Sequence, residues 1–212
     1  MSLVNLIIDG KKIAVEKGKT LLDAARKAGI KIPTLCYHEK LLPYGACRLC
    51  MVEIFRNPKS EIRNPKFAIR NSQFGRLVAS CAYEAEEGLE ILTKSPRVIK
   101  VRKLMIELLM SQFPYIAYLR KLAEEYGVTE SRFNHKLSIC ILCGLCVRYC
   151  AEVKKNRAVG FIGRGIERRL AWTPDSAYKK NCAGCFECFS ICPTGVFPSN
   201  WSLNTIKQLR ES

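Results

Sequence analysis

The sequence predicts an α+β chain built in two parts, and three observations carry that prediction. Two apolar runs flank Asp9-Gly10 near the start, a helix-forming segment follows Thr20, and the twelve cysteines fall into a sparse set of four and a dense set of eight. In LVNLIIDGKKIAV the Asp-Gly step is a strong hairpin signal, because a tight type I′ turn needs φ > 0 at both central positions. Thr20, three residues before Asp23, reads as the N-cap of a helix over LLDAARKAG, with Gly29 in the C′ position. A cysteine-bearing loop follows, and GLEILT reads as a strand that closes a small mixed domain at about Thr93.

The chain has 212 residues, enough for two small domains, and 48% of them are hydrophobic, which excludes global disorder. It contains no run of eighteen apolar residues, and the start MSLVNLIIDGKK lacks the order of a signal peptide. A soluble, unexported, cytoplasmic chain is therefore expected. In a reducing compartment, clustered cysteines are metal ligands rather than disulfides. Lys and Arg outnumber Asp and Glu by 35 to 19, a formal charge of +16. Cysteine-held metal clusters of about −2 each would bring this to roughly +10. The remaining excess reads either as a solubilising surface or as a docking face for an acidic protein.

Ser95-Pro96 reads as a helix start, with Ser as N-cap and Pro at the first helical position. In VIKVRKLMIELLM, Val98, Val101, Leu104, Met105 and Leu108 recur at helical spacing, with Lys100, Arg102 and Lys103 expected on the opposite, solvated face. A second helical segment is predicted from about Tyr115 to Tyr126, capped by Gly127. The expected organisation is a first domain over 1–93 with an inserted loop at 55–76, a helical linker over 94–135, a cysteine-dense domain over 136–199 and a tail over 200–212. The insertion is a tandem repeat of period seven, FRNPKSE, IRNPKFA and IRNSQFG. Pro58 and Pro65 forbid a continuous helix, so it reads as a surface loop or extended hairpin.

The dense cysteines give the strongest signal. Cys140, Cys143, Cys146 and Cys150 have the spacing C-x2-C-x2-C-x3-C, and Cys182, Cys185, Cys188 and Cys192 repeat it before Pro193. This is the spacing of bacterial-type 4Fe-4S ferredoxins, in which three close cysteines wrap one cluster and the fourth crosses to the other. One cluster is thus expected on Cys140, Cys143, Cys146 and Cys192, and a second on Cys182, Cys185, Cys188 and Cys150. Gly144 and Gly184 keep the wrapping backbone unobstructed, while Ala151 departs from the proline of the pattern. Structural zinc does not take four cysteines in eleven residues given twice.

Cys36, Cys47, Cys50 and Cys81 remain, and their order follows a plant-type 2Fe-2S site, although ten residues rather than four separate the first two. A Rieske centre fails because no histidine matches His38 at the second pair, so His38 reads as a loop hydrogen-bonder. Gly45 is expected to let backbone N–H groups approach the sulfurs. No nucleotide fingerprint is present, since GRG at 163–165 is a lone G-x-G.

IPTLCYHEKLLPYGACRLCMVEI, VASCAYEAEEGLEILTKSPRVIKVRKLMIELL, CILCGLCVRYCAEV and CAGCFECFSICPTG together resemble the N-terminal part of the large iron-sulfur subunit of respiratory complex I. They are equally similar to the small diaphorase subunit of NAD-reducing hydrogenases and to the front portion of iron-only hydrogenases. The resemblance implies a ubiquitin-like beta-grasp 2Fe-2S ferredoxin domain followed by a two-cluster 4Fe-4S ferredoxin domain. Two departures stand out: the period-seven insertion, and the lack of His or Cys in SQFPYIAYLRKLAEEYGVTE, where the family carries a further cluster. Three clusters are expected, with none between the domains, and His135 is not expected to be a ligand.

Clusters held by four thiolates have no open position, so the chain is expected to relay electrons and not to catalyse on its own. By resemblance it would link a flavin/NAD(P)H subunit to a catalytic metalloenzyme of the hydrogenase or formate dehydrogenase class. A free-standing ferredoxin serving several partners is the alternative. A succinate dehydrogenase type subunit is disfavoured, since it would need additional cysteines, and a nucleic-acid enzyme with a structural cluster lacks a catalytic constellation.

Overall fold

The computed structural model describes residues 2–56, 75–133, 140–172, 185 and 187–194. Strands β1 (Leu3–Ile8) and β2 (Lys11–Glu16) form the predicted hairpin, with Asp9 at φ 47° and Gly10 at φ 80° in its turn. Asp9 does more than turn the chain. Its carboxylate accepts from the Thr93 amide at 2.8 Å and from the Thr93 hydroxyl at 2.5 Å, pinning the far end of the domain to the hairpin.

Strands β3 (Met51–Arg56), β4 (Arg76–Ala79) and β5 (Leu89–Leu92) complete a five-stranded sheet in the order β2-β1-β5-β3-β4. Only the β1 and β5 pair is parallel. Alternation along β1 buries Val4, Leu6 and Ile8, as the two-residue strand period requires. Helix α1 (Leu21–Lys27) covers this face with Leu21, Ala24 and Ala25. Each fully buried Leu or Ile here contributes about 2 kcal/mol. The Thr20 and Asp23 side chains and amides form a reciprocal capping box, and Gly29 ends the helix at φ 72°.

The inserted repeat lies between paired strands, because Met51 to Ile54 align with Ala79 to Arg76. Phe55 and Arg56, expected in the loop, belong to β3 instead and pair with Glu90 and Leu89. Arg76 likewise opens β4. The remainder of the repeat, 57–74, lies outside the described residues.

Helix α2 (Pro96–Gln112) starts as predicted, with the Val98 amide donating to the Ser95 hydroxyl at 3.3 Å. Ser95 and Arg97 both hold the buried Glu53 carboxylate of β3, at 2.5 and 2.6 Å. The buried face differs from the expected one. Val98, Arg102, Ile106 and Glu107 face inward, whereas Leu104 is exposed. Arg102 can occupy the inner face because backbone carbonyls and a tyrosine receive all three of its bonds. Helix α3 (Ala117–Tyr126) packs on α2 through Leu119, Leu122 and Ala123, and Gly127 caps it at φ 63°.

Beyond Arg132, which is tied to Glu107, the cysteine-dense region holds a short helix α4 (Leu145–Arg148) that runs into a π-turn at Tyr149–Val153. A β6 (Val159–Ile162) and β7 (Arg169–Trp172) ribbon and a helix α5 (Glu187–Ser190) follow. Gly163, first glycine of the GRG motif, makes the turn after β6 at φ 73°. A Cβ there would collide with the Glu167 carbonyl oxygen, so glycine is required for the turn. Among the described residues no helix is long and apolar enough to cross a membrane.

Candidate metal centres

The sparse cysteines converge although 45 sequence positions separate Cys36 from Cys81. The Cys47 amide donates to the Cys36 sulfur at 3.3 Å, and the Cys50 and Cys81 sulfurs lie 3.3 Å apart. Cys36, Cys50 and Cys81 are buried and Cys47 is half-buried. Tight loop geometry makes this possible. Arg48, between Cys47 and Cys50, takes φ 56°, and Gly45 takes φ 66°. A left-handed non-glycine residue costs of order 1 kcal/mol, and such strain concentrates at functional sites.

The four thiols influence one another's charge. The hydrogen bond to Cys36 lowers Cys47 to about 6, and backbone amides of Leu49, Cys36 and Leu35 further favour its thiolate. The same side-chain bond and burial raise Cys36 well above the ordinary thiol range. Cys50, bonded to Cys81, is lowered to about 7, and Cys81 is raised in return by that bond. Two thiolates therefore form readily, and their charges oppose ionisation of the other two. A polyvalent metal centre removes that conflict, so the chemistry of the four thiols suits one, although among the described residues no three or more His, Cys, Asp or Glu are arranged around a single metal ion. Ser80, fully buried next to Cys81, adds a donor at the site, where its side chain favours the Cys50 thiolate.

In the second region Cys140, Cys143, Cys146 and Cys192 line one small cavity with Gly144, Leu170 and Thr194. Burial is the main cause that raises Cys140, Cys143 and Cys146, with Cys143 pushed up to about 11. Amides of Leu142, Leu145 and Val147 favour the respective thiolates. Leu142, at φ 51°, repeats the left-handed turn of Arg48 between paired cysteines. Gly144 stands at φ 75° at the start of α4, where a Cβ would touch the Tyr44 ring at 3.4 Å. Cys146 packs with Cys188, Cys192 and Cys140. Cys150 lies in the π-turn that passes Ala151, and its sulfur accepts from the Ala158 amide at 3.1 Å. Glu187, beside Cys188, accepts from Tyr149 at 2.9 Å and pairs with Lys154, joining α5 to the π-turn. Cys182, Gly184 and His135 lie outside the described residues.

The two regions touch at their cysteine loops. Arg148 donates to the Cys36 carbonyl at 3.3 Å and to the Leu42 carbonyl, and stacks 4.9 Å over the Tyr44 ring. Leu41 packs on Leu145 and Tyr149, and Ile141 joins the apolar cluster that includes Leu35, Leu49 and Cys47. The charge of Cys47 is among those that raise Cys143. His38 is the loop hydrogen-bonder expected of it: its Nδ1 accepts from the Lys40 amide at 3.2 Å, and its ring meets Tyr149 edge-on.

Thiol-only donor sets at ferredoxin spacing define an iron-sulfur protein of the electron-transfer class, and the comparisons with known proteins agree. Residues 2–96 match the family described as a 2Fe-2S iron-sulfur cluster binding domain, and residues 131–198 match the ferredoxin-like domain of NADH-quinone oxidoreductase subunit 3. A chain of the crystal structure of an NAD+-reducing NiFe-hydrogenase in the H2-reduced state superposes with a TM-score of 0.71 at 32% identity, covering 91% of this chain and 85% of that one. The NADH-ubiquinone oxidoreductase 75 kDa subunit of Reclinomonas americana is 29% identical over 93% of this chain. The NADPH-Fe(3+) oxidoreductase subunit alpha of Geobacter sulfurreducens is 31% identical over 93%. The chain spans only 29% and 24% of the length of these two curated relatives. The chain belongs to the iron-sulfur subunit family that these hydrogenase and NADH oxidoreductase subunits share.

Sequence reasoning missed four contributors. Arg102 reads as a solvated cation in any helical pattern, Arg48 and Leu142 carry no glycine signal for their positive φ, and Arg148 acts across 112 residues.

Proposed function

We propose that this chain is an electron-transfer subunit of a multi-subunit oxidoreductase and performs no catalysis alone. In this reading Cys36, Cys47, Cys50 and Cys81 hold a 2Fe-2S cluster. Cys140, Cys143, Cys146 and Cys192 hold one 4Fe-4S cluster, and Cys182, Cys185, Cys188 and Cys150 hold another. When bound, such clusters accept and release single electrons at low potential, about −400 mV for plant-type 2Fe-2S centres. The chain's own part is to supply thiolates, to exclude water, and to aim amide donors at the sulfurs.

The contact between the Cys36–Cys50 loop and the Cys140–Cys146 loop carries the proposal. With Cys47 and Cys143 in electrostatic reach and Arg148 locking one loop to the other, the two centres would adjoin without an intermediate cluster. The sheet order supports a beta-grasp fold for 1–93, followed by a helical linker over 94–135, a two-cluster domain over 136–199 and a tail over 200–212. The partners are a flavin/NAD(P)H subunit and a catalytic metalloenzyme of the hydrogenase or formate dehydrogenase class, in the cytoplasm. Anaerobic purification through a tag on this chain tests the assignment. Co-purification of a flavin subunit and a metalloenzyme, with the visible absorbance bleached by NADH, is the expected result. A lone protein indifferent to NADH would make it a mobile ferredoxin.

A further inference from the structure

Arg102 is the largest fully buried side chain described, at 1% exposure. Its Nε donates to the Leu49 carbonyl at 3.1 Å and its Nη2 to the Met51 carbonyl at 2.7 Å, so the guanidinium grips the chain on both sides of Cys50. Its Nη1 donates to the Tyr126 hydroxyl of α3 at 3.0 Å. No carboxylate pairs with it among the described residues. The two buried carboxylates of the neighbourhood are engaged elsewhere, Glu53 by Ser95 and Arg97, and Glu107 by Arg132. A buried cation without an anion is costly, and neutral carbonyls recover only part of its lost hydration.

We propose that Arg102 is the fixed counter-charge of the four-cysteine site formed by Cys36, Cys47, Cys50 and Cys81, and raises the reduction potential there. This rests on the reading that the site holds a 2Fe-2S cluster. An electron arriving at such a site adds one negative charge and no proton, and a permanent cation held beside Cys50 favours the more negative state. Arginine suits the place because it stays protonated when buried and its planar fork can span two carbonyls at once. Arg102 is thus a positioning residue with an electrostatic readout.

The test is a redox titration of the full chain, poised with dithionite and mediators and followed by electron paramagnetic resonance. In Arg102→Gln the ratio of reduced to oxidised 2Fe-2S cluster at a fixed poise, taken from the reduced signal against its fully reduced intensity, falls about tenfold, equivalent to about 59 mV, while the 4Fe-4S signals stay put. Arg102→Lys keeps the charge and remains within about twofold of wild type. Coincidence of Arg102→Gln with wild type, or an equal shift in both variants, overturns the proposal. If Arg102→Gln does not fold, replacement of Arg102 by citrulline, neutral and nearly isosteric, is judged by the same criteria. A wild-type chain with no 2Fe-2S signal overturns the cluster assignment itself.

Discussion

The guanidinium of Arg148 donates to the carbonyl of Cys36 across 112 residues of sequence, 3.3 Å away. One residue of the second region thereby fixes the first cysteine of the other region's site. Arg148→Ala removes this bond, the bond to Leu42 and the stacking on Tyr44. It is expected to cost about 2 kcal/mol of stability by the usual worth of charged hydrogen bonds. Iron content should be unchanged, and the magnetic interaction between the reduced 2Fe-2S and 4Fe-4S signals should weaken. An unaltered interaction would separate Arg148 from the relay.

Glu107 is held by Arg132 through three bonds of 2.7 to 2.8 Å, including one from the Arg132 amide. Its hydrogen bonds from the Arg132 side chain lower it to about 2. Its folded-state value lies below the unfolded one, so its contribution is complete above about pH 5 and fades as pH falls toward 2. Glu107→Gln should lower the melting temperature near neutrality, and the gap to wild type should close on acidification. A gap that is constant with pH would contradict this.

Ser80 carries a buried hydroxyl that favours the Cys50 thiolate. If a cluster sulfur accepts from it, Ser80→Ala should lower the 2Fe-2S potential while changing stability by less than about 1 kcal/mol. A potential identical to wild type would leave the hydroxyl without that role.

The pairing of Ile54 with Arg76 brings the two ends of the repeat side by side. Replacing residues 57–74 by an Asn-Gly turn should therefore preserve the 2Fe-2S spectrum and the fold, because closing a long loop contributes only logarithmically to stability. Loss of that spectrum alone would assign the repeat to the site.

What the sequence made legible was local chemistry. Asp9-Gly10, the Thr20 and Asp23 cap, Ser95-Pro96 and Gly127 each act within a few residues, and each stands where its side chain or φ preference requires. The cysteine spacing was legible too, and Cys192 lines one small cavity with Cys140, Cys143 and Cys146. Long-range satisfaction was not. Arg102 breaks the rule that cations face solvent because Leu49 and Met51, some fifty residues earlier, present their carbonyls to it. The joint between the two cysteine loops likewise depends on Arg148, Leu41 and Tyr44, none of which belongs to a motif.

In the proposed reading one chain carries three thiolate-held iron-sulfur clusters close enough to pass electrons. Anaerobic purification with iron and sulfide analysis, followed by paramagnetic resonance on stepwise reduction, tests it directly. About ten iron atoms per chain, one 2Fe-2S signal and two interacting 4Fe-4S signals are expected. Stoichiometric zinc, or fewer than about six iron atoms after full reconstitution, would contradict it.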